Sequence, residues 1–136
     1  DLEPLRWQLR SDSDQIQLAT AIALVQLGDA DGVLALQRLG TDDDPGVRIQ
    51  VASSIGKLGD PKLIPLLIDM LNDRGAVQRT AIDSLEQFAG ETTAREIEEE
   101  GAGSETRLVA AWKSWAAQQS RTARQSADPT QEAGAR

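Results

Sequence analysis

The aspartate run Asp42-Asp43-Asp44 is the cluster that most plainly suggests chemistry, because carboxylate oxygens are the ligands that calcium prefers. A calcium loop of the EF-hand type alternates its ligands over about 12 residues, with a glycine near the middle and a closing glutamate. The run has none of this pattern. It lies between two stretches of helical apolar spacing, so we expect its carboxylates to cap a helix and to bind no metal.

Ser53 and Ser54, with Lys57 following on the same predicted helix, are the remaining arrangement that could supply a nucleophile and a base. The sequence contains no His and no Cys, which excludes imidazole catalysis, thiol nucleophiles and Cys/His zinc sites. Its acids fall in predicted turns or on solvent faces, unlike the facing carboxylates of a glycosidase. No glycine-rich phosphate loop is present. We therefore predict a protein that is not an enzyme and needs no cofactor.

The net charge of the chain is −8, from 22 acidic and 14 basic residues. An acidic surface repels phosphate groups, so we expect neither a nucleic acid nor an anionic membrane as the partner. No apolar run approaches the roughly 20 residues that cross a bilayer. These properties favour a protein partner, and we expect a monomer in isolation. The chain starts at Asp1, which indicates a processed chain or a fragment; the compartment stays open, with the cytoplasm favoured if no upstream signal has been removed.

An internal repeat organises the first 90 residues. Leu27-Gly28-Asp29 recurs 31 residues later as Leu58-Gly59-Asp60, and Ala89-Gly90-Glu91 follows after a similar interval. Four positions before each glycine keep a small or apolar character at helical spacing: Ile16, Ala21, Leu24, Leu27; Val47, Ala52, Ile55, Leu58; Val77, Ile82, Leu85, Phe88. We expect each set to be the buried stripe of a helix, and each glycine to take a left-handed conformation just after it.

A second apolar helical pattern precedes each stripe, at residues 2–10, 31–39 and 61–71. Pro65 lies about one turn into the last of these and is expected to bend it. The unit is therefore a helix, a short polar turn and a second helix, repeated over residues 1–29, 30–60 and 61–90. Because a single pair of this kind cannot bury its apolar faces alone, we predict an all-α fold, a right-handed α-solenoid (α-α superhelix) of three to four stacked pairs.

The segment Asp44-Pro45-Gly46-Val47-Arg48, followed by Ala52 and Leu58-Gly59-Asp60, resembles the consensus of HEAT-like repeats. The period of 30 to 31 residues is similar to the short bacterial variety first described in phycobilin lyases. The resemblance implies a scaffold or assembly factor that binds a protein; the alternative that it implies is an accessory subunit of a bilin lyase or a related light-harvesting assembly system. It also implies that Asp42 or Asp44 pairs with Arg48 to bridge adjacent repeats.

Residues 91–119 resemble a degenerate fourth repeat, with a polar first helix and a second helix that begins after Ser104 as its N-cap. Trp112 and Trp115 are three residues apart on that second helix. We expect them to close the end of the solenoid; the alternative is a partner-binding platform. Trp7 in the first helix is a candidate contact for repeats upstream. Apolar content collapses after this segment, and we predict a disordered tail over residues 120–136.

The second helices of HEAT-like solenoids line the concave side, so the resemblance places the candidate binding residues there. Matching by register gives two rows across the three repeats. We define the upper row as Gln17, Arg48 and Gln78, and the lower row as Gln26, Lys57 and Gln87. Ser53, Ser54, Asp83 and Ser84 are expected between the rows. Both rows are polar with little charge, which suits hydrogen bonding to a protein surface; ordinary solvated positions are the other interpretation.

Overall fold

The computed structural model describes residues 2–127, and within them it contains helices and no strand. The all-α class predicted from the sequence is confirmed. The elements in chain order are α1 Glu3–Gln8, α2 Asp14–Gln26, α3 Ala30–Leu39, α4 Pro45–Leu58, a 3-10 turn Pro61–Leu63, α5 Ile64–Met70, α6 Ala76–Ala89, α7 Glu91–Glu100 and α8 Glu105–Ala127. They form two compact units, the first ending at Glu91 and the second beginning at Thr92.

Side-chain caps and glycine turns delimit the helices of the first unit. Ser13, Asp29 and Asp44 accept hydrogen bonds from backbone N–H groups in the first turns of α2, α3 and α4. The capping role predicted for the aspartate run is therefore confirmed at Asp44. Gly28, Gly59 and Gly90 all have positive φ values, of 77°, 66° and 86°. The left-handed conformation predicted at these glycines is confirmed at Gly59, with ψ of 20°, and is wrong at Gly90, where ψ is 163°.

The helix predicted over residues 61–71 is interrupted near its start. Residues Pro61–Leu63 form a 3-10 turn, and the α-helix begins only at Ile64. Pro65 has no N–H to donate to a carbonyl one turn earlier, so regular α-helical bonding cannot extend back through this position. The proline therefore divides the segment instead of bending it.

On the second helices, close packing against other helices buries pairs of adjacent residues, and these pairs repeat about one turn apart. The fully or nearly fully buried members are Thr20, Ala21, Leu24 and Val25 in α2, Val51, Ala52, Ile55 and Gly56 in α4, and Ala81, Ser84 and Leu85 in α6. The buried face of α2 therefore includes Val25, which the predicted stripe of that helix omitted. Leu27 is accordingly 58% exposed, and Leu58, predicted as a core residue, is only half-buried.

Ile16 is a further correction to the predicted stripe. It is 47% exposed, although Val47 and Val77 at the same register are buried. The repeat pattern is thus uniform in sequence and unequal in burial.

Two glycines without unusual backbone angles allow the helices of the first unit to approach closely. A Cβ atom on Gly32 of α3 would lie 2.6 Å from the Val25 nitrogen and 2.8 Å from the Ala21 oxygen of α2. A Cβ atom on Gly56 of α4 would lie 2.6 Å from Ser84 Oγ and 2.8 Å from Ser84 Cβ of α6. Any larger side chain at either position would push two helices apart.

The second unit is a helix pair of its own. Ser104 Oγ accepts a hydrogen bond from the Arg107 N–H at 3.3 Å, which confirms the predicted N-cap of α8. Helix α8 continues to Ala127, so residues 120–127, which we predicted as disordered tail, are helical. Ala, Gln and Arg favour the helix even without an apolar face. The remaining part of the predicted tail, residues 128–136, lies outside the described residues.

Trp112 and Trp115 both lie in the buried part of α8. Trp112 is 0% and Trp115 is 9% exposed, and their ring centroids are 5.6 Å apart in an edge-to-face arrangement. Trp7 in α1 is 67% exposed, with the Arg10 guanidinium 5.4 Å from its ring centroid. The capping role of Trp112 and Trp115 at the end of the solenoid stays a prediction.

We expect Trp112→Ala to lower the free energy of unfolding by about 3–5 kcal/mol, because it removes a fully buried side chain and leaves a cavity. Trp7→Ala is the matched control and should be nearly neutral, since most of that ring already contacts solvent. Denaturant unfolding followed by far-UV circular dichroism measures both. Equal costs for the two variants would contradict the burial described for α8.

Candidate functional site

Side chains of the upper row form hydrogen bonds to the turns that join the two helices of each pair. The Gln17 side-chain amide donates to the Ser11 carbonyl, and that of Gln78 donates to the Leu71 carbonyl at 3.0 Å. Arg48 Nη1 donates to the carbonyls of Asp42 and Asp43 at 2.6 and 3.1 Å. Each side chain thus reaches back from the start of a second helix to the turn before it. We call this contact the turn latch.

The second unit contains the same turn latch. Arg107 Nη2, near the start of α8, donates to the Ala102 carbonyl at 2.9 Å. A capping box would have a glutamate at this position, whereas the arginine found here reaches back to the turn that precedes the helix. A long side chain with terminal N–H donors three or four residues into each second helix is the signal that identifies the latch.

Arg48 also connects the second helix pair to the third. Its Nε donates to Asp73 Oδ2 at 2.8 Å, across the groove between successive turns. The predicted partner, Asp42 or Asp44, was wrong, because both carboxylates serve their own turn. Asp42 Oδ1 accepts from the Asp44 N–H at 2.9 Å, and Asp44 Oδ1 accepts from the Gly46 N–H at 2.8 Å. The bridging aspartate therefore comes from the next repeat.

Hydrogen bonds stabilise the charged form of Asp73. The Arg74 backbone N–H donates to its carboxylate, and Arg48 adds a second hydrogen bond and an opposite charge. Together they hold the pKa of Asp73 below its usual range, against the opposing effect of partial burial. The pKa of Asp29 is lowered in the same way by the Asp31 backbone N–H and by Arg6.

The lower row differs from the upper one in exposure. Gln26, Lys57 and Gln87 are all exposed near the ends of α2, α4 and α6, whereas the three upper-row residues are half-buried. Between the rows, Asp83 is exposed and Ser53 and Ser54 are half-buried. Ser84, which we predicted to lie on the surface between the rows, does not lie there. It is buried, and its hydroxyl donates to the Ala52 carbonyl at 2.7 Å.

A groove of about 590 Å³ lies beside the Arg48–Asp73 contact. It is bordered by the ends of α3 and α5, the two turns that follow them, and the first half of α4. We call it the turn groove. Its lining residues are Leu36, Gln37, Gly40, Thr41, Asp42, Asp43, Arg48, Val51, Leu66, Asp69, Met70, Asn72 and Asp73. Sequence reasoning missed it, because it forms only when two successive repeats stack.

Metal-binding clusters and membrane-spanning helices were both sought among residues 2–127. No group of three or more His, Cys, Asp or Glu side chains among them is arranged to hold a metal ion. None of the helices described here has the length and apolar content to cross a membrane. Lys57 points into solvent as an exposed residue, and Ser53 and Ser54 lie half-buried on the same helix.

Comparison with known families identifies the repeat. A family model described as HEAT repeats matches residues 2–86, which span the three helix pairs of the first unit almost to the end of α6. The chain belongs to the HEAT-repeat family. HEAT repeats are generally non-catalytic scaffolds for protein interaction. A comparison with curated proteins finds no significant match.

The inter-repeat bridge of these HEAT repeats makes a pH-dependent prediction. Because the pKa of Asp73 is lowered in the folded state, its contribution to stability is present above its ordinary pKa of about 4 and is lost as the pH falls through the folded value. We expect Asp73→Asn to reduce the free energy of unfolding by about 1–3 kcal/mol at neutral pH, through the weakened contacts with Arg48 and the Arg74 N–H.

The difference between Asp73→Asn and the wild type should be constant between about pH 5 and 8 and should shrink below about pH 4. Denaturant unfolding across this range measures it. Asp83→Asn, at an exposed position on α6, is the control and should show no such profile. A difference for Asp73→Asn that stayed constant down to about pH 2 would contradict the ionic contact.

Proposed function

We propose that the chain is a non-catalytic scaffold that binds a protein partner through the lower row, the exposed side chains near the ends of its first three second helices. The observation that supports this proposal is the lower row. Gln26, Lys57 and Gln87 occupy the same register on three stacked HEAT pairs, and all three are exposed. A row repeated at this interval presents the same polar groups to a partner at regular spacing.

The chemistry of the lower row suits a protein surface. Two amides and one ammonium group supply several hydrogen-bond donors and acceptors with a single charge. The second helices that carry them are anchored by fully buried residues such as Leu24, Ile55 and Leu85. Binding therefore requires little ordering of the backbone, which lowers the entropic cost of association.

The upper row contributes to the same surface in a different way. Gln17, Arg48 and Gln78 donate hydrogen bonds to the preceding turns in the turn latches. We propose that they hold the surface in place and that only their remaining polar atoms contact a partner. The accessory role beside a bilin lyase stays an alternative prediction, and no feature of residues 2–127 favours it. Addition of free bilin would test it, since a lyase subunit should change the absorption of the pigment.

We expect the triple variant Gln26→Ala, Lys57→Ala, Gln87→Ala to lose a partner that the wild-type chain captures from its native host. The affinity of the purified pair should fall by about tenfold or more, because up to three interfacial contacts are removed. Isothermal titration calorimetry measures the change. Far-UV circular dichroism should show an unchanged fold, since the three side chains are exposed.

The matched control is Gln15→Ala, Lys62→Ala, Gln119→Ala, which removes the same residue types from exposed positions elsewhere. It should bind the partner like the wild type. Equal affinity of both triple variants would show that the partner binds another surface. The absence of any protein that binds the wild-type chain specifically would contradict the scaffold function itself.

A further inference from the structure

We propose that the turn groove binds a basic segment of a partner protein, with a Lys or Arg side chain placed against Asp43 and Asp69. This inference deepens the proposed function and rests on it. The occupant is a peptide segment that carries both cationic and apolar residues. Four features of the groove support this choice: its charge, the helix ends that border it, its apolar floor and its fixed shape.

The charge of the turn groove is strongly negative. Four aspartates and one arginine line it, Asp42, Asp43, Asp69 and Asp73 against Arg48, which leaves a net charge of −3. Arg48 is already paired with Asp73 at 2.8 Å. Asp43 and Asp69 are exposed, and neither forms an ion pair within the described residues. Two carboxylates are therefore available to a cation from outside.

Two helix C-termini border the same groove. Helix α3 ends at Leu39 and α5 at Met70, and residues from both last turns line the groove. The last-turn carbonyls of a helix carry a partial negative charge, which favours a cation nearby. The backbone therefore adds to the attraction of the carboxylates, and it does so independently of the aspartate side chains.

The floor of the turn groove is apolar. Leu36, Val51, Leu66 and Met70 contribute to the lining; Leu36 and Val51 are fully buried beneath it, and Leu66 and Met70, at 8% and 6% exposure, present the apolar surface that an occupant can reach. Lys and Arg side chains have long aliphatic stems that pack along apolar surface while the charged group reaches a polar rim. A groove with an apolar floor and an acidic rim therefore suits a Lys or Arg side chain better than it suits a free metal ion or a small anion.

The groove is also held in a fixed shape. Arg48 donates to the carbonyls of Asp42 and Asp43 in one wall and to the Asp73 carboxylate in the other. One side chain thus sets the distance between the two turns. A preformed groove avoids the cost of ordering its walls on binding, so a short segment is sufficient to fill it.

Three fluorescein-labelled peptides of equal length test the proposal: one of alternating Lys and Leu, one of alternating Lys and Ser, and one of alternating Glu and Leu. Fluorescence anisotropy with the full chain measures their affinities. We expect the Lys/Leu peptide to bind most tightly, the Lys/Ser peptide more weakly for lack of apolar contacts, and the Glu/Leu peptide not at all. Binding should weaken as the salt concentration rises.

The double variant Asp43→Asn, Asp69→Asn assigns binding to the groove. It should lower the affinity for the Lys/Leu peptide by about tenfold, as expected for the loss of two partly exposed ion pairs. The control Asp12→Asn, Glu98→Gln removes the same charge from exposed positions outside the groove and outside the two rows, and it should leave the affinity within about twofold of the wild type. Both double variants should keep the wild-type unfolding midpoint, because all four carboxylates are exposed.

Equal weakening by the two double variants would overturn the proposal, because it would show attraction to the net charge of the chain. Absence of Lys/Leu binding would overturn it as well. The outcome of the lower-row experiment is independent of both results. A partner that needs Gln26, Lys57 and Gln87 but ignores the groove would refute this inference and leave the scaffold function intact.

Discussion

The close approach of α4 and α6 at Gly56 and Ser84 is the contact on which the first unit depends. The absence of a side chain at Gly56 allows Ser84 to reach the backbone of α4, where its hydroxyl donates to the Ala52 carbonyl at 2.7 Å. Around this contact, Ile55 and Leu85 become fully buried. A helix pair has no other way to cover its apolar stripe, because its own two helices leave one face open.

The distance between the second helices determines what the surface presents. Stacking sets the interval at which Lys57 and Gln87 follow Gln26, and it brings the turn of the third pair within reach of Arg48. The turn groove exists because of this second effect, since its two walls belong to successive repeats. Buried contacts in the core and binding chemistry on the surface are therefore two consequences of one helix spacing.

The repeat period and the glycine turns made the helix pairs predictable from the sequence, because both report local backbone preferences. The contacts between repeats were much less predictable. Arg48 was expected to bridge repeats, but its partner Asp73 lies 25 residues away, and nothing in a local pattern distinguishes it from Asp42. Gly32 and Gly56 carried a weak signal: glycine inside a helix costs about 1 kcal/mol and is retained where another helix must come close.

The lower row of the candidate site was predictable because solvent exposure follows from helical register. The role of the upper row was not predictable from the sequence, because the turn latch depends on where the carbonyls of the preceding turn lie in space. Ile16 illustrates the same limit in the core. Its apolar type and register match Val47 and Val77, yet it is 47% exposed whereas they are buried, and its residue type does not reveal the difference.

A double-mutant cycle between Gly56→Ala and Ser84→Gly tests the α4–α6 contact most directly, with the free energy of unfolding measured for all four proteins. A Cβ atom at residue 56 would lie within 2.8 Å of Ser84 Cβ, so the alanine should be costly beside serine, by about 1–3 kcal/mol. Beside glycine the contacts with the serine side chain are gone and only the Cα of residue 84, 3.1 Å away, still crowds the alanine, so the cost should fall by about 1 kcal/mol or more. If the two substitutions were additive within about 0.5 kcal/mol, the contact would not set the helix spacing, and the account would be contradicted.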